Sequence, residues 1–136
     1  MKKEVVVLSL GGSLIVPNDI DLGFLQKFKK VIKKNSRNHK FIIVCGGGSI
    51  ARKYISALRK AGINEEFQSL SGISATRMNA RFMNYLFGIN PEIGIPHTTE
   101  TLMKYVKKQD IIFCGALEYK PTQTSDSTAA ELAKHF

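Results

Sequence analysis

The sequence predicts an α/β protein, a parallel doubly wound sheet with helices on both faces. Three observations carry that prediction. Short, nearly continuous apolar runs alternate with longer amphipathic stretches. The runs at 4–10 (EVVVLSL), 40–45 (KFIIVC) and 110–114 (DIIFC) each end at glycine, as Gly11-Gly12, Gly46-Gly47-Gly48 and Gly115. No linker, internal repeat or low-complexity tract interrupts the alternation, so the 136 residues form one domain.

Each element follows from its local pattern. Glu4–Leu10 reads as a strand buried on both faces, as parallel sheets require. Residues 21–34 place Leu22, Leu25, Phe28 and Val31/Ile32 at helical spacing with lysines opposite. Residues 40–45 form the second strand. A helix over 49–61 sets Ile50, Tyr54, Ile55 and Leu58 on one face and stops at Gly62. A third helix spans 74–87, with Met78, Phe82, Tyr85 and Leu86 as its apolar face, and ends at Asn90-Pro91. Residues 92–95 suggest a short strand, and 99–108 a fourth helix. The strand 110–114 follows, then a polar loop over 118–125. A last helix, capped by Asp126 or Ser127, runs to the chain end. A strand should follow it, so the pattern reads as cut rather than finished.

Composition narrows the function. The chain is 43% hydrophobic and 23% charged, and no apolar run approaches the roughly 18–20 residues of a membrane span. The N-terminal MKKEVVVLSLGGS lacks a signal peptide's cleavage pattern, which points to a cytoplasmic protein. Cys45 and Cys114 form no CxxC pair and read as buried reduced thiols. The three histidines lack ligand spacing, so no metal site is assigned. Net charge is +9, much of it on Lys27, Lys29, Lys30, Lys33, Lys34, Arg37 and Lys40. Without interleaved aromatic residues or a nucleic-acid motif, this face argues for solvation rather than nucleic-acid binding. The overall field still favours small anions.

The glycine turns carry the functional signal. In open α/β sheets, ligands bind beyond the carboxyl ends of the strands. Glycine lets backbone approach a ligand, and the helix after Gly46–Gly48 offers unpaired N–H groups at its positive end. Together these predict an anion site suited to phosphate. Arg52, one turn into that helix, is placed to reach back to the same anion. The blander reading is a set of tight strand–helix turns. Neither GxxxxGK[ST] nor GxGxxG occurs, which excludes the P-loop and the common dinucleotide fingerprint. Residues 124–128 bring Thr124, Ser125, Ser127 and Thr128 beside Asp126 at a helix start, either as a cap or as a wall of the same site.

With these pieces placed, the chain resembles the amino acid kinase family, and within it the archaeal-type uridylate (UMP) kinases. The stretches that carry the resemblance are SLGGSLIVP (9–17), CGGGSIARKYI (45–55), GISATRMNA (72–80) and TSDSTAAELA (124–133), in the family's order and spacing. The resemblance implies a three-layer αβα sandwich with a mainly parallel sheet. It implies transfer of the γ-phosphoryl group of ATP, accompanied by Mg2+, to UMP, and assembly as a homo-oligomer, a hexamer in the family.

By the same resemblance, Gly47, Gly48 and Arg52 would hold the acceptor phosphate, and Gly11 and Gly12 would lie by the transferring group. Asp126 would organise catalytic groups. Thr124, Ser125 and the Gly115-Ala116 turn would line the acceptor site, and Thr76, Arg77 and Asn79 would sit on a helix that walls it and packs between subunits. Ser9 stands where many members carry a lysine, with Lys53 the nearest substitute. Ser69 stands where uridylate kinases carry an aspartate that meets the ribose. The family continues through an ATP-binding half, so residues 1–136 are expected to form an acceptor-binding lobe, C-terminal half absent, and to be inactive alone. Two other readings keep the fold: a different acceptor, such as isopentenyl phosphate or an amino acid, or a non-catalytic nucleotide-binding or assembly module.

Overall fold

A computed structural model describes residues 2–118 and 124–136. Three parallel strands lie in the order β1-β2-β3: β1 (Glu4–Leu10), β2 (His39–Cys45) and β3 (Ile111–Cys114). The register pairs Leu10 with Cys45 and Val44 with Cys114, so the carboxyl ends of the strands align at one edge. That alignment brings the three glycine turns together.

The helices in chain order are α1 (Gly12–Ile15), α2 (Leu22–Asn35), α3 (Gly48–Lys60), α4 (Glu65–Leu86), α5 (Thr99–Val106) and α6 (Ser125–Ala133). Alternation along the strands sends successive side chains to opposite faces. Phe41, Ile43, Cys45 and Phe113 pack with Leu25 and Ile32 of α2 and with Ala80 and Met83 of α4. Phe87 meets Phe113 edge-on, with ring centroids 4.8 Å apart. Ile42, Val44, Ile112 and Cys114 face the other way, against Leu102 and Val106 of α5 and Ala129 and Leu132 of α6. The result is the three-layer αβα arrangement. Helix α3 stands outside it, packed on α4 and α1.

Several sequence expectations change. β2 is buried throughout, but Val5–Ser9 of β1 are only half-buried, because among the described residues β1 pairs on one side alone. The helix expected at 74–87 begins at Glu65. Asn64 caps it, its side chain accepting from the Phe67 amide at 3.0 Å, and Glu65 and Glu66 complement the dipole of the first turn. Met78 and Tyr85, expected on its apolar face, are exposed, as are Leu22, Val31 and Tyr54 elsewhere. Residues 92–95 form no strand. Pro91 and Pro96 deprive that segment of ladder donors, and Ile93 instead closes a turn onto the Asn90 carbonyl. Gly62 ends α3 as expected, at φ +76°. Of the polar loop at 118–125, residues 119–123 lie outside the described residues.

Both cysteines are buried reduced thiols. Burial pushes the Cys45 thiol well above its ordinary range, with Cys114 adding to the rise. Burial also lifts Cys114 from 9.0 to about 12. A raised thiol pKa in the folded state gives stability that is complete below the unfolded value and lost as pH rises through the folded one. Stability should therefore fall between pH 9 and about 12. Replacing both cysteines with alanine should flatten that alkaline limb in urea titrations. Iodoacetamide should label neither thiol at pH 8 until the chain unfolds.

Candidate functional site

The strand edge opens into a cleft of about 400 Å³, lined by Gly12, Gly46, Gly47, Ala51, Ile55 and Ser69, then Gly72, Ile73, Thr76, Ala116, Thr124, Ser125 and Thr128. Its floor is made by two glycine turns pressed against each other. A Cβ on Gly12 would fall inside the Gly48 backbone, and one on Gly46 would come 2.5 Å from the Gly12 amide nitrogen. Gly48 adopts φ +63°, and a Cβ there would lie 2.5 Å from the Gly12 carbonyl oxygen. Side chains at these positions would separate the loops. Gly11 differs, because its Cβ position is open.

Helix α4 fixes this floor from one side. Asn79, buried in the middle of the helix, donates from Nδ2 to the Gly46 carbonyl at 2.8 Å and to the Gly47 carbonyl at 3.2 Å. With the carbonyls drawn towards α4, the Gly47 and Gly48 amides have no acceptor among the described residues. They stand at the start of α3, where unpaired donors and the helix dipole favour an anion. The Ser49 amide is already taken by the Val16 carbonyl at 3.0 Å.

The same helix ties down the turn after β3. Thr76 Oγ1 accepts from the Ala116 amide at 2.9 Å. Arg77 donates from Nε to the Ala116 carbonyl at 3.1 Å and from Nη2 to the Leu117 carbonyl at 3.3 Å. Gly115 has no room for a side chain, since a Cβ would lie 2.5 Å from Thr76 Oγ1. Opposite α4, the first turn of α6 completes the cleft. Thr124, not Asp126 or Ser127, is the cap: its side chain accepts from the Ser127 amide at 3.1 Å, and Ser127 Oγ accepts from the Thr124 amide at 2.9 Å. Asp126, relieved of capping, accepts from Ser9 Oγ at 2.5 Å.

Of the residues predicted for the site, Gly12, Gly47, Ser69, Thr124 and Ser125 line the cleft. Gly11, Gly48 and Gly115 shape the turns around it, and Asp126 stands beside Ser125, turned towards Ser9. Arg52 is the exception. Its Nη2 donates to the Pro17 carbonyl at 3.4 Å, and it shares a separate open groove with Asn18, Lys53 and Lys60. Among the described residues no charged side chain lines the cleft, so the polar groups it offers are backbone amides and hydroxyls. The apolar wall of Ala51, Ile55 and Ile73 and the small Gly72 were not predicted. They become legible only once α3 and α4 are known to pack side by side, with Gly72 admitting Ile55.

Comparison with known proteins agrees with this fold. The sequence profile of the amino acid kinase family matches residues 4–136. The chain is 42% identical over 132 residues to a uridylate kinase of Thermoplasma volcanium, covering 96% of this chain and 56% of that protein. It is 33% identical over 134 residues to a uridylate kinase of Thermococcus kodakarensis, covering 96% of this chain and 57% of the relative. The crystal structure of uridylate kinase from Archaeoglobus fulgidus superposes with a TM-score of 0.82 at 31% identity, over 97% of this chain and 58% of that one. UMP kinase from Ureaplasma parvum shares the fold, with a TM-score of 0.76 at 22% identity over 98% of this chain and 62% of that one. The chain thus spans little more than half the length of these relatives.

The packing predicts a graded response to substitution. Gly11→Ala, with open space at its Cβ, should leave the urea midpoint nearly unchanged. Gly12→Ala should lower it sharply. Asn79→Ala removes both donors to the glycine turn and should cost about 1–3 kcal/mol in the same titration.

Proposed function

The chain belongs to the amino acid kinase family, and from that premise we propose that residues 1–136 form the acceptor-binding lobe of a UMP kinase. The observation that carries this reading is the pair of interlocked glycine turns, with the unpaired Gly47 and Gly48 amides at the start of α3. The acceptor phosphate would sit on those amides, with Ser125 and Thr124 opposite. Gly11 and Gly12 would border the incoming phosphoryl group. The nucleoside would extend along Ala51, Ile55 and Ile73 towards Ser69, which offers a hydroxyl to the ribose.

In the reaction, an oxygen of the UMP phosphate forms a bond to the γ-phosphorus of ATP as the bond to the β–γ bridging oxygen breaks. UDP and ADP result. The protein's part is positioning and the stabilisation of charge. Among the described residues no cluster of three His, Cys, Asp or Glu side chains forms a metal cradle. Mg2+ would arrive on the donor nucleotide. No helix among the described residues is long and apolar enough to cross a membrane.

Self-association is the second part of the proposal. Phe67, Leu70, Met78 and Tyr85 are 54%, 41%, 63% and 55% exposed. Their spacing of three, eight and seven residues lays them along one stripe of α4. A second copy of the chain, packed α4 against α4, would bury that stripe at the back of the cleft wall.

Calorimetric titration should show UMP binding with uridine at least tenfold weaker, because the phosphate supplies the main contacts. Arg52→Ala should change UMP affinity less than threefold, since Arg52 lines the outer groove and not the cleft. Equal binding of UMP and uridine would contradict the phosphate site. In sedimentation velocity, Met78→Asp should shift a dimer to monomer without loss of the helical circular dichroism signal.

A further inference from the structure

Ser9 is a polar exception in an apolar row. Val5 and Val7, four and two residues before it, point to the α5/α6 side of the sheet and pack against its core. Alternation puts Ser9 on that side, at the last position of the row and against the first turn of α6. An apolar residue would continue the packing there. Instead the half-buried Ser9 hydroxyl lies 2.5 Å from Asp126 Oδ1 and 3.3 Å from Ser125 Oγ.

The carboxylate has no other structural duty. Thr124 and Ser127 already close the capping box of α6. No lysine or arginine pairs with Asp126 among the described residues. A hydrogen bond from a strand-borne hydroxyl to an acidic oxygen is directional, and it restricts the rotamer of a side chain otherwise free on a helix surface. No hydrogen bond or ion pair engages Oδ2 among the described residues, so one oxygen is held and the other is available, next in sequence to Ser125 of the cleft wall.

We propose that Ser9 is a positioning residue, whose hydroxyl locks the Asp126 carboxylate so that Oδ2 faces the acceptor end of the cleft. An uncharged donor leaves the carboxylate's negative charge uncancelled. Oδ2 is then the natural contact for a hydrogen-bond donor or a cation that accompanies the phosphate. The inference rests on the acceptor-lobe reading for its purpose, but not for its geometry.

The test uses the intact chain, carrying 13C and 15N labels, as wild type, Ser9→Ala and Ser9→Thr. Without ligand, the Asp126 Hα–Hβ couplings should report a single rotamer in wild type and Ser9→Thr, and averaging in Ser9→Ala. On saturation with UMP, the Asp126 carboxyl 13C resonance should move in wild type and Ser9→Thr, and by less than half as much in Ser9→Ala. Rotamer averaging in wild type would overturn the proposal, and so would a full response in Ser9→Ala. Loss in both variants would overturn it too, since side-chain volume rather than the hydroxyl would then be responsible. A fixed wild-type rotamer with no UMP-induced shift at any cleft residue would overturn the acceptor reading, while supporting the Ser9 lock. UMP-induced shifts at Gly47 and Ser125 with Asp126 unmoved would uphold the acceptor reading and overturn the role assigned to Ser9.

Discussion

The backbone-to-backbone contact between the turn after β1 and the turn after β2 is the constraint on which the site depends. Gly12, Gly46 and Gly48 meet without side chains between them. That contact sets the depth of the cleft floor and the direction of the first amides of α3. Strand register supplies the alignment, since Leu10 and Cys45 are paired. Asn79 supplies the lock, since its amide consumes the Gly46 and Gly47 carbonyls and leaves their loop presenting donors. A donor-rich floor can attract an anion without a charged side chain, because unpaired amides at a helix start carry the positive end of its dipole.

Helix α4 links these local facts to the fold. One side of it carries Ala80 and Met83 into the core beneath the sheet. Another carries Asn79, Thr76 and Arg77 to the two turns that frame the cleft. Its outer stripe remains exposed. A single 22-residue helix therefore bears on both stability and site geometry while keeping an apolar stripe on its outer face. Two clusters of positive charge lie away from the cleft, on α2 and in the groove around Arg52. They raise the local concentration of small anions without touching the cleft.

Much of this was legible in the sequence, for physical reasons. Buried parallel strands leave apolar runs too continuous to mistake, and β1, β2 and β3 fall within a residue of their expected bounds. Glycine after a strand marks a turn, and three such turns marked the functional edge. What stayed hidden depends on tertiary contact. The expected helix begins at Ser74, yet α4 starts nine residues earlier at Glu65 and takes in Gly72, against which Ile55 of α3 packs. The strand suggested at 92–95 had apolar residues, which serve the core without a ladder partner. Arg52 pointed at the anion by spacing alone, but the Pro17 carbonyl competes for it. Asp126 and Ser127 were both good caps by type. Geometry gave the cap to Thr124 and left Asp126 to Ser9, a pairing across 117 residues that no local pattern contains.

The central claim is that the interlocked glycine turns form a phosphate seat. Mapping amide chemical shifts by 1H–15N correlation during titration with UMP tests it most directly. The largest shifts should fall on Gly47, Gly48 and Ser125, with smaller ones along Ile55 and Ile73 and none at Lys30 or Lys33 of α2. Shifts concentrated instead on Lys53 and Lys60, with the Gly47 and Gly48 amides unmoved, would contradict the account and move the anion site to the outer groove.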